Sequence, residues 1–325
     1  MPRRLPSGSS SRSSDQAAPS PAAPGRRLTR LRYTRGAVPI AVLVFVFDPF
    51  VQPFGDLLVR WGTIALAVVF AMALVTAGVS ARREHLRADD IAFIAVGIVP
   101  GAIVGGRVGF ALMHWSVVSR DLLSLLDPAV GGLELGLAVV GGTISGSYVA
   151  SLLDAPTGRW FHLAATPVLF ALGAGKLTMV LTGAGQGQPS TADWATAYAG
   201  PGPWASLGPA IPSVPSQALE GIATLAILVV LTLALMLGAF RRRDGRVFFV
   251  GLAAWAVARA IVSLTWRDPM VLGGLNAGGI IALGIAVGCS VIVVAQTVRP
   301  MRARRPPPPE VDVSWPDPST RTSRW

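Results

Sequence analysis

The residues most able to carry chemistry are charged side chains inside apolar segments. Lys176 is the only lysine in the chain and lies in the apolar run 161–181. Arg107 and Arg259 lie deep in two other apolar runs, GAIVGGRVGF and WAVARAIVS. A charge at membrane depth costs about 2.5–3.5 kcal/mol on insertion scales, so such residues usually face a polar cavity and have a function. Three cations on three segments predict a site for an anionic ligand, and in a membrane the commonest is a phospholipid headgroup.

Two structural alternatives compete with this interpretation. Lys176 lies near the end of its segment and could extend its ammonium group to the membrane surface. The cations could also form salt bridges with the few acids of the apolar runs, Glu134 and Glu220, for instance Arg259 with Glu220. The rest of the chain favours the functional interpretation, in which the site includes Lys176, Arg259 and Glu220.

The elements that must position these residues are membrane-spanning helices. The chain has 325 residues, of which 52% are hydrophobic and 14% charged, whereas about 25% are charged in soluble domains. About 20 apolar residues cross a bilayer, and open strands cannot satisfy their backbone in lipid. The predicted fold is therefore an all-α bundle of seven transmembrane helices, with spans at 62–80, 91–113, 133–152, 161–183, 217–238, 247–265 and 273–297.

The distribution of arginine orients this bundle. The net charge of +11 comes from arginines in the tails and in short loops, which is typical of membrane topology and argues against a nucleic-acid partner. The loops after spans one, three, five and seven hold Arg82, Arg83, Arg87, Arg159, Arg241, Arg242, Arg243, Arg246, Arg299, Arg302, Arg304 and Arg305, whereas the alternate loops hold only Arg120 and Arg267. The 184–216 connection has no Arg or Lys. This pattern predicts a cytoplasmic carboxyl terminus and an outer amino terminus, although insertion of 37–54 would make the basic amino-terminal tail cytoplasmic.

The remaining segments define the domain organisation. Residues 1–36 form a Ser/Pro/Arg-rich tail that cannot bury a core, and 298–325 is a similar Pro/Arg-rich tail, so both are predicted to be disordered. The apolar stretch 37–47 is too short to span and is predicted to be an interfacial segment of the membrane domain 37–297. Cys289 is the only cysteine, and no Cys/His cluster suggests a metal, so we expect neither metal nor cofactor.

Six motifs in order give the chain a family resemblance. Over roughly residues 45–297 it resembles the bacterial prolipoprotein diacylglyceryl transferases. FDPFVQPFGDLLVRWGTIAL is similar to that family's opening segment, and GGRVGF to GGRxGY. VVGGTISG stands where the family has HGGxxG, and GKLTMVLTGAGQGQPS where it has GRxGNFxNxExxGRPT. VPSQALEG resembles HPSQxYEA, and WAVARAIVS resembles YGxxRxxxE.

The resemblance implies a function for these motifs. The family transfers a diacylglyceryl group from phosphatidylglycerol to the lipobox cysteine of a prolipoprotein, in a bacterial plasma membrane. The expected partners are then phosphatidylglycerol, the prolipoprotein signal peptide and the bilayer. The family's arginine position holds Lys176, which with Arg259 and Glu220 forms the expected catalytic set. The matched positions expected to bind phospholipid or shape the cavity are Arg107, Gly141, Gly142, Pro215, Ser216 and Gln217.

Departures from the motifs leave two functions open. A lysine cannot reproduce the bidentate grip of arginine on phosphate. Polar or small motif positions of the family are replaced here by Val140, Thr178, Met179, Ala184, Val214 and Ser263, and no histidine (His85, His114, His162) falls on a matched catalytic position. The chain is either an active transferase with altered groups or a degenerate paralogue that binds phospholipid or lipoprotein precursor without turnover. A transporter is disfavoured because no inverted repeat is found.

Overall fold

The computed structural model describes residues 43–87, 89–127, 131–208 and 210–298. The predicted tails 1–36 and 298–325 lie outside the described residues, apart from Val298 at the end of the last helix. Residues 37–42 of the predicted interfacial segment also lie outside them.

Seven helices in the described part of the chain are long and apolar enough to cross a membrane. They are α1 (Trp61–Arg83), α2 (Asp89–Met113), α4 (Leu135–Leu152), α5 (Thr157–Thr178), α6 (Ser216–Met236), α7 (Arg246–Ser263) and α8 (Ala277–Val298). The short helix α3 (Trp115–Val118) and a 3₁₀ turn (Leu122–Leu125) follow α2, and a second 3₁₀ turn (Met179–Leu181) continues α5. The prediction of seven helical spans is confirmed, with each end within four residues of its predicted position.

Short strands lie in the segments before and between the long helices. They are β1 (Leu43–Phe45), β2 (Phe50–Phe54), β3 (Leu57–Arg60), β4 (Thr196–Tyr198), β5 (Met270–Leu272) and β6 (Leu275–Asn276). β2 with β3 and β5 with β6 form antiparallel hairpins. β1 instead pairs in parallel with the distant β4, with Leu43 opposite Thr196. The described end of the predicted interfacial segment is therefore a strand that pairs with the long connection between α5 and α6.

Helix α7 occupies the centre of the bundle. Within the 18-residue apolar stretch of α7, 56% of the residues are buried inside the protein, whereas the corresponding share is 6–33% in the other six long helices. Its side chains Leu252 and Trp255 join Leu169 of α5 and Cys289 of α8 in one buried apolar cluster. Because Arg259 lies on this central helix, its guanidinium is held away from the surrounding lipid.

Helices α2 and α4 cross at very close range. A side chain on Gly141 would overlap the carbonyl oxygen of Gly101, and one on Gly105 would overlap the carbonyl oxygen of Leu137. Small residues allow such backbone approach in membrane helices. The crossing brings the start of α4 to α2, where the amide of Glu134 donates to the carbonyl of Gly106 at 3.0 Å.

The connection between α5 and α6 packs through an aromatic cluster. Tyr198 stacks on Phe45 with ring centroids 4.9 Å apart and meets Trp204 at 5.0 Å. Its hydroxyl donates to the carbonyl of Val180 at 2.7 Å, and burial raises the pKa of Tyr198 to about 12, so the hydroxyl stays protonated. These contacts fix the connection to the 3₁₀ turn that continues α5, only a few residues from Lys176.

Candidate functional site

A cavity of about 600 Å³ lies where the carboxyl-terminal ends of α2, α5 and α7 meet the amino-terminal ends of α4 and α6. Its wall contains both glutamates and two of the three cations singled out in the sequence. The charged or ionisable residues that line it are His114, Glu134, Lys176, Glu220, Arg259, Arg267 and Asp268. The apolar part of the wall includes Phe110, Met113, Leu133, Met179 and Trp266.

Arg259 bridges the two glutamates. Its Nη1 donates to Glu220 Oε1 at 2.6 Å, and its Nη2 donates to Glu134 Oε1 at 3.0 Å. The three side chains are 5%, 1% and 2% exposed, respectively. A charge so deeply buried is tolerated only when it is paired and hydrogen-bonded. Arg259 therefore uses two of its nitrogens to hold the two glutamates in place.

Glu134 is held from a second direction by the helix that it begins. It is the N-cap of α4, and its side chain accepts from the amides of Gly136 at 2.7 Å and Leu137 at 2.6 Å. A carboxylate is favourable at a helix amino terminus, where it satisfies free amides and complements the helix dipole. The carboxylate of Glu134 is thus a fixed anchor for Arg259.

Lys176 completes the buried network. Its Nζ lies 3.0 Å from Glu220 Oε2, and its side chain is 14% exposed, more than any other member. An ammonium group has three N–H donors, and within the described residues Glu220 is its only ion-pair partner. Lys176 is therefore the member of the network best placed to donate to the oxygens of a ligand.

The network is electrically balanced. Lys176 and Arg259 contribute two positive charges, and Glu134 and Glu220 two negative ones. The predicted salt bridge between Arg259 and Glu220 is present in the structure. It does not exclude a ligand, because all four residues of the network line the cavity. An incoming phosphate would meet donors whose positions are already fixed.

Trp266 and Arg267 extend the site beyond the end of α7. The ring of Trp266 lies 4.6 Å from the guanidinium carbon of Arg259 and 5.9 Å from Nζ of Lys176, so it covers both cations. Arg267 donates through Nε to the carbonyl of Gly187 at 2.9 Å. Burial lowers the pKa of the Arg267 guanidinium, although the nearby charge of Asp268 opposes this.

The structure brings the predicted catalytic residues together but not the predicted binding residues. Arg107 is not in the cavity wall, and its Nη2 donates to the carbonyl of Asp127 at 3.0 Å. Within the described residues Arg107 therefore does not line the cavity that Lys176 and Arg259 share: α2 packs closely on α4, and Arg107 lies over the loop that follows α2. Its assignment to lipid binding stays a prediction.

The other predicted binding residues support the walls of the bundle. Gly141 and Gly142 lie in the α2–α4 crossing. Ser216 is buried at the start of α6, where its hydroxyl lies 2.6 Å from that of Thr265. Gln217 is 1% exposed and outside the cavity wall. The assignment of these residues to lipid binding stays a prediction.

Sequence reasoning missed His114, Gln186, Trp266 and Arg267, all of which line the cavity. A signal was available for two of them, since the pair Trp266-Arg267 comes two residues after the WAVARAIVS segment. Gln186 is 5% exposed, and its Nε2 donates to the carbonyl and hydroxyl of Thr196 at 2.9 and 3.0 Å, which ties β4 to the cavity wall.

Comparison with known proteins places the motifs in context. A sequence model of the prolipoprotein diacylglyceryl transferase family matches residues 49–295. A phosphatidylglycerol–prolipoprotein diacylglyceryl transferase of Trichormus variabilis is 23% identical over 256 residues, covering 78% of this chain and 91% of its own length. Proteins of the same name from Geobacter sulfurreducens and Sinorhizobium medicae are 28% and 26% identical, covering 71% and 79% of this chain and 86% and 93% of their own lengths.

Proposed function

The chain belongs to the prolipoprotein diacylglyceryl transferase family, and we propose that it transfers diacylglyceryl from phosphatidylglycerol to the lipobox cysteine of a prolipoprotein. The relatives that carry this activity in their names match over more than two thirds of this chain and most of their own length. The observation that carries the proposal is the buried network in which Lys176, Glu220 and Arg259 line one cavity.

The network suits the chemistry of the transfer. The cysteine sulfur forms a bond to the diacylglyceryl carbon while the bond from that carbon to the phosphate oxygen breaks, and glycerol phosphate leaves. Negative charge grows on the departing phosphate, and fixed donors aimed at that charge stabilise the transition state. Lys176, with N–H donors available to the cavity, supplies this stabilisation, and Glu220 holds its ammonium group in position. Arg259 and Glu134 keep Glu220 in place.

The cation at position 176 need not be arginine for this role. An arginine grips phosphate through two parallel bonds, whereas Lys176 acts as a point charge with rotatable donors. The neighbouring Trp266 ring lies over both Lys176 and Arg259 and limits access of water to them. A charge in such a site acts more strongly than in bulk water.

We also propose that the protein spans the bacterial plasma membrane with the cavity toward the outer face. Glu84, Arg159 and Arg243 meet around a second, smaller cavity at the opposite end of the bundle. The arginine-rich loops thus share one end, which the positive-inside rule assigns to the cytoplasm. A reporter fused after Arg305 should then be cytoplasmic and one within 190–212 external, whereas a cytoplasmic signal from 190–212 would refute the orientation.

The proposed activity can be tested in cells. In a bacterium depleted of its own transferase, expression of this protein should restore the diacylglyceryl modification of a reporter lipoprotein, measured by mass spectrometry. A degenerate paralogue would bind phosphatidylglycerol and give no modified reporter. Unmodified reporter alongside normal membrane insertion of the protein would refute the transferase activity.

A further inference from the structure

The proposed transfer needs an acceptor for the thiol proton, because the thiolate rather than the thiol is the nucleophile. The position that matches the family's HGG histidine holds Val140. Val140 packs against the buried apolar cluster of α5–α8 and offers no polar atom. A proton acceptor, if the chain has one, must come from another position.

Only one of the three histidines lines the cavity. His114 directly follows α2 and shares the cavity wall with Glu134, Lys176 and Arg259. His162 instead lines the smaller cavity at the opposite end, and 14 residues of helix separate it from Lys176, a distance of roughly 21 Å. His85 lies in the loop between α1 and α2.

Two contacts fix the imidazole of His114. Its ring stacks on that of Phe110 with centroids 4.4 Å apart and planes 23° apart. Its Nδ1 lies 3.1 Å from the carbonyl oxygen of Phe110. A carbonyl oxygen can only accept, so Nδ1 carries the hydrogen and Nε2 of the neutral ring holds the free lone pair. A backbone carbonyl thus sets the tautomer that a general base requires.

The charged network also lies next to this histidine. A side chain on Gly109, five residues before His114, would meet Cβ of Glu134 at 2.6 Å, so the carboxyl-terminal part of α2 packs on the α4 N-cap. Met113 and Trp266 both lie next to Gly278 of α8. A Cβ atom added to Gly278 would lie 3.5 Å from the Met113 side chain and 2.6 Å from the Trp266 ring. The end of α2 is therefore in the same layer as the ring that covers Lys176 and Arg259.

We propose that His114 is the general base of the transfer. This inference rests on the proposed function. Nε2 of His114 takes the proton from the lipobox thiol, the resulting thiolate attacks the diacylglyceryl carbon, and the carbon–oxygen bond to the phosphate breaks. The proton then passes from the imidazolium to the released glycerol phosphate or to water, which returns His114 to its neutral form.

The test compares rates of transfer as a function of pH. Purified protein, phosphatidylglycerol vesicles and a synthetic lipobox peptide are used, with His114→Gln and His114→Tyr as variants. His114→Tyr keeps an aromatic ring for Phe110 but supplies no base at neutral pH. His85→Asn is the control histidine, because its position has a positive φ of 54° that asparagine tolerates.

We expect both His114 variants to lose about 10²- to 10⁴-fold in rate at pH 7, the usual contribution of general base catalysis. Their residual rate should rise about tenfold per pH unit toward pH 8.5, near the ordinary pKa of a thiol, because the thiol then ionises unaided. The difference between the pH–rate profiles of parent and variants isolates the contribution of His114, because the other ionisable groups of the cavity wall are unchanged. Those groups are Glu134, Lys176, Glu220, Arg259, Arg267 and Asp268.

The outcomes separate this inference from the proposed function. Parental rates in the His114 variants at pH 7, or a loss of rate that stays constant with pH, would overturn the base role while the transferase activity stands. Phosphatidylglycerol binding and the unfolding temperature should match the parent in at least one variant. Absence of product from the parent protein itself would refute the proposed function, and the base role with it.

Discussion

Replacing Glu220 with glutamine should destabilise the bundle more than replacing Glu220 and Lys176 together. The 1%-exposed Glu220 carboxylate accepts from Arg259 at 2.6 Å and lies 3.0 Å from Lys176. Glu220→Gln leaves two buried cations facing the single carboxylate of Glu134. Removal of one partner from a buried ion pair costs about 3–5 kcal/mol. At about 2–4 °C per kcal/mol for a domain of this size, the unfolding temperature should fall by about 6–20 °C.

The double variant Glu220→Gln/Lys176→Met restores charge balance, because Arg259 and Glu134 remain as one pair. It should recover about 1–3 kcal/mol relative to Glu220→Gln, the range of coupling energies between residues in one network. Thermal unfolding in detergent, followed by tryptophan fluorescence, measures both effects.

A matched control comes from the opposite end of the protein. Glu84 pairs with Arg243 at a site where the two side chains are 31% and 52% exposed. Glu84→Gln should therefore cost no more than about 1 kcal/mol. If Glu220→Gln costs as little as Glu84→Gln, or if the double variant equals the sum of its single variants, the buried network does not contribute as described.

Three further predictions follow from the site and its supports. Lys176→Ala should weaken phosphatidylglycerol binding by about 1.5–3 kcal/mol and abolish transfer, whereas Lys176→Arg should retain both; unchanged binding in Lys176→Ala would contradict this. Trp266→Ala removes the ring 4.6 Å from Arg259 and should lower the free energy of unfolding by at least about 0.5–2 kcal/mol, measured by thermal unfolding. Gly141→Leu should prevent assembly because its side chain would overlap a facing carbonyl oxygen on α2, whereas Gly284→Ala, with open space around the added methyl group, should fold normally; a folded Gly141→Leu would contradict the close crossing.

The seven spans were predictable because lipid imposes a simple requirement. A crossing segment must be long, apolar and internally hydrogen-bonded, and all of this is visible in local sequence. The same reasoning identified Lys176 and Arg259 as costly charges, and it named Glu134 and Glu220 as the available counter-ions. The fold class and the charged residues at the centre of the site could therefore be predicted from local sequence.

The rest depended on contacts between distant residues. Arg259 and Glu134 are 125 residues apart, and no periodicity in either segment indicates that they meet. The parallel pairing of β1 with β4 is equally non-local. The position of Arg107 outside the cavity follows from the rotation of α2, which is set by the α2–α4 crossing. His114 lies one residue past the predicted span and off every motif, so nothing local marked it.

Diacylglyceryl transfer by this protein can be measured with purified components. The protein is incubated with phosphatidylglycerol vesicles and a lipobox peptide, and the peptide mass and released glycerol phosphate are measured together, with a peptide carrying serine in place of the lipobox cysteine as the control. We expect the cysteine peptide to gain one diacylglyceryl group per glycerol phosphate released and the serine peptide to gain none. The control conditions are ones in which a relative with intact motifs gives both products. If this protein is folded and binds phosphatidylglycerol but gives neither product under those conditions, the assignment of this cavity to diacylglyceryl transfer is contradicted.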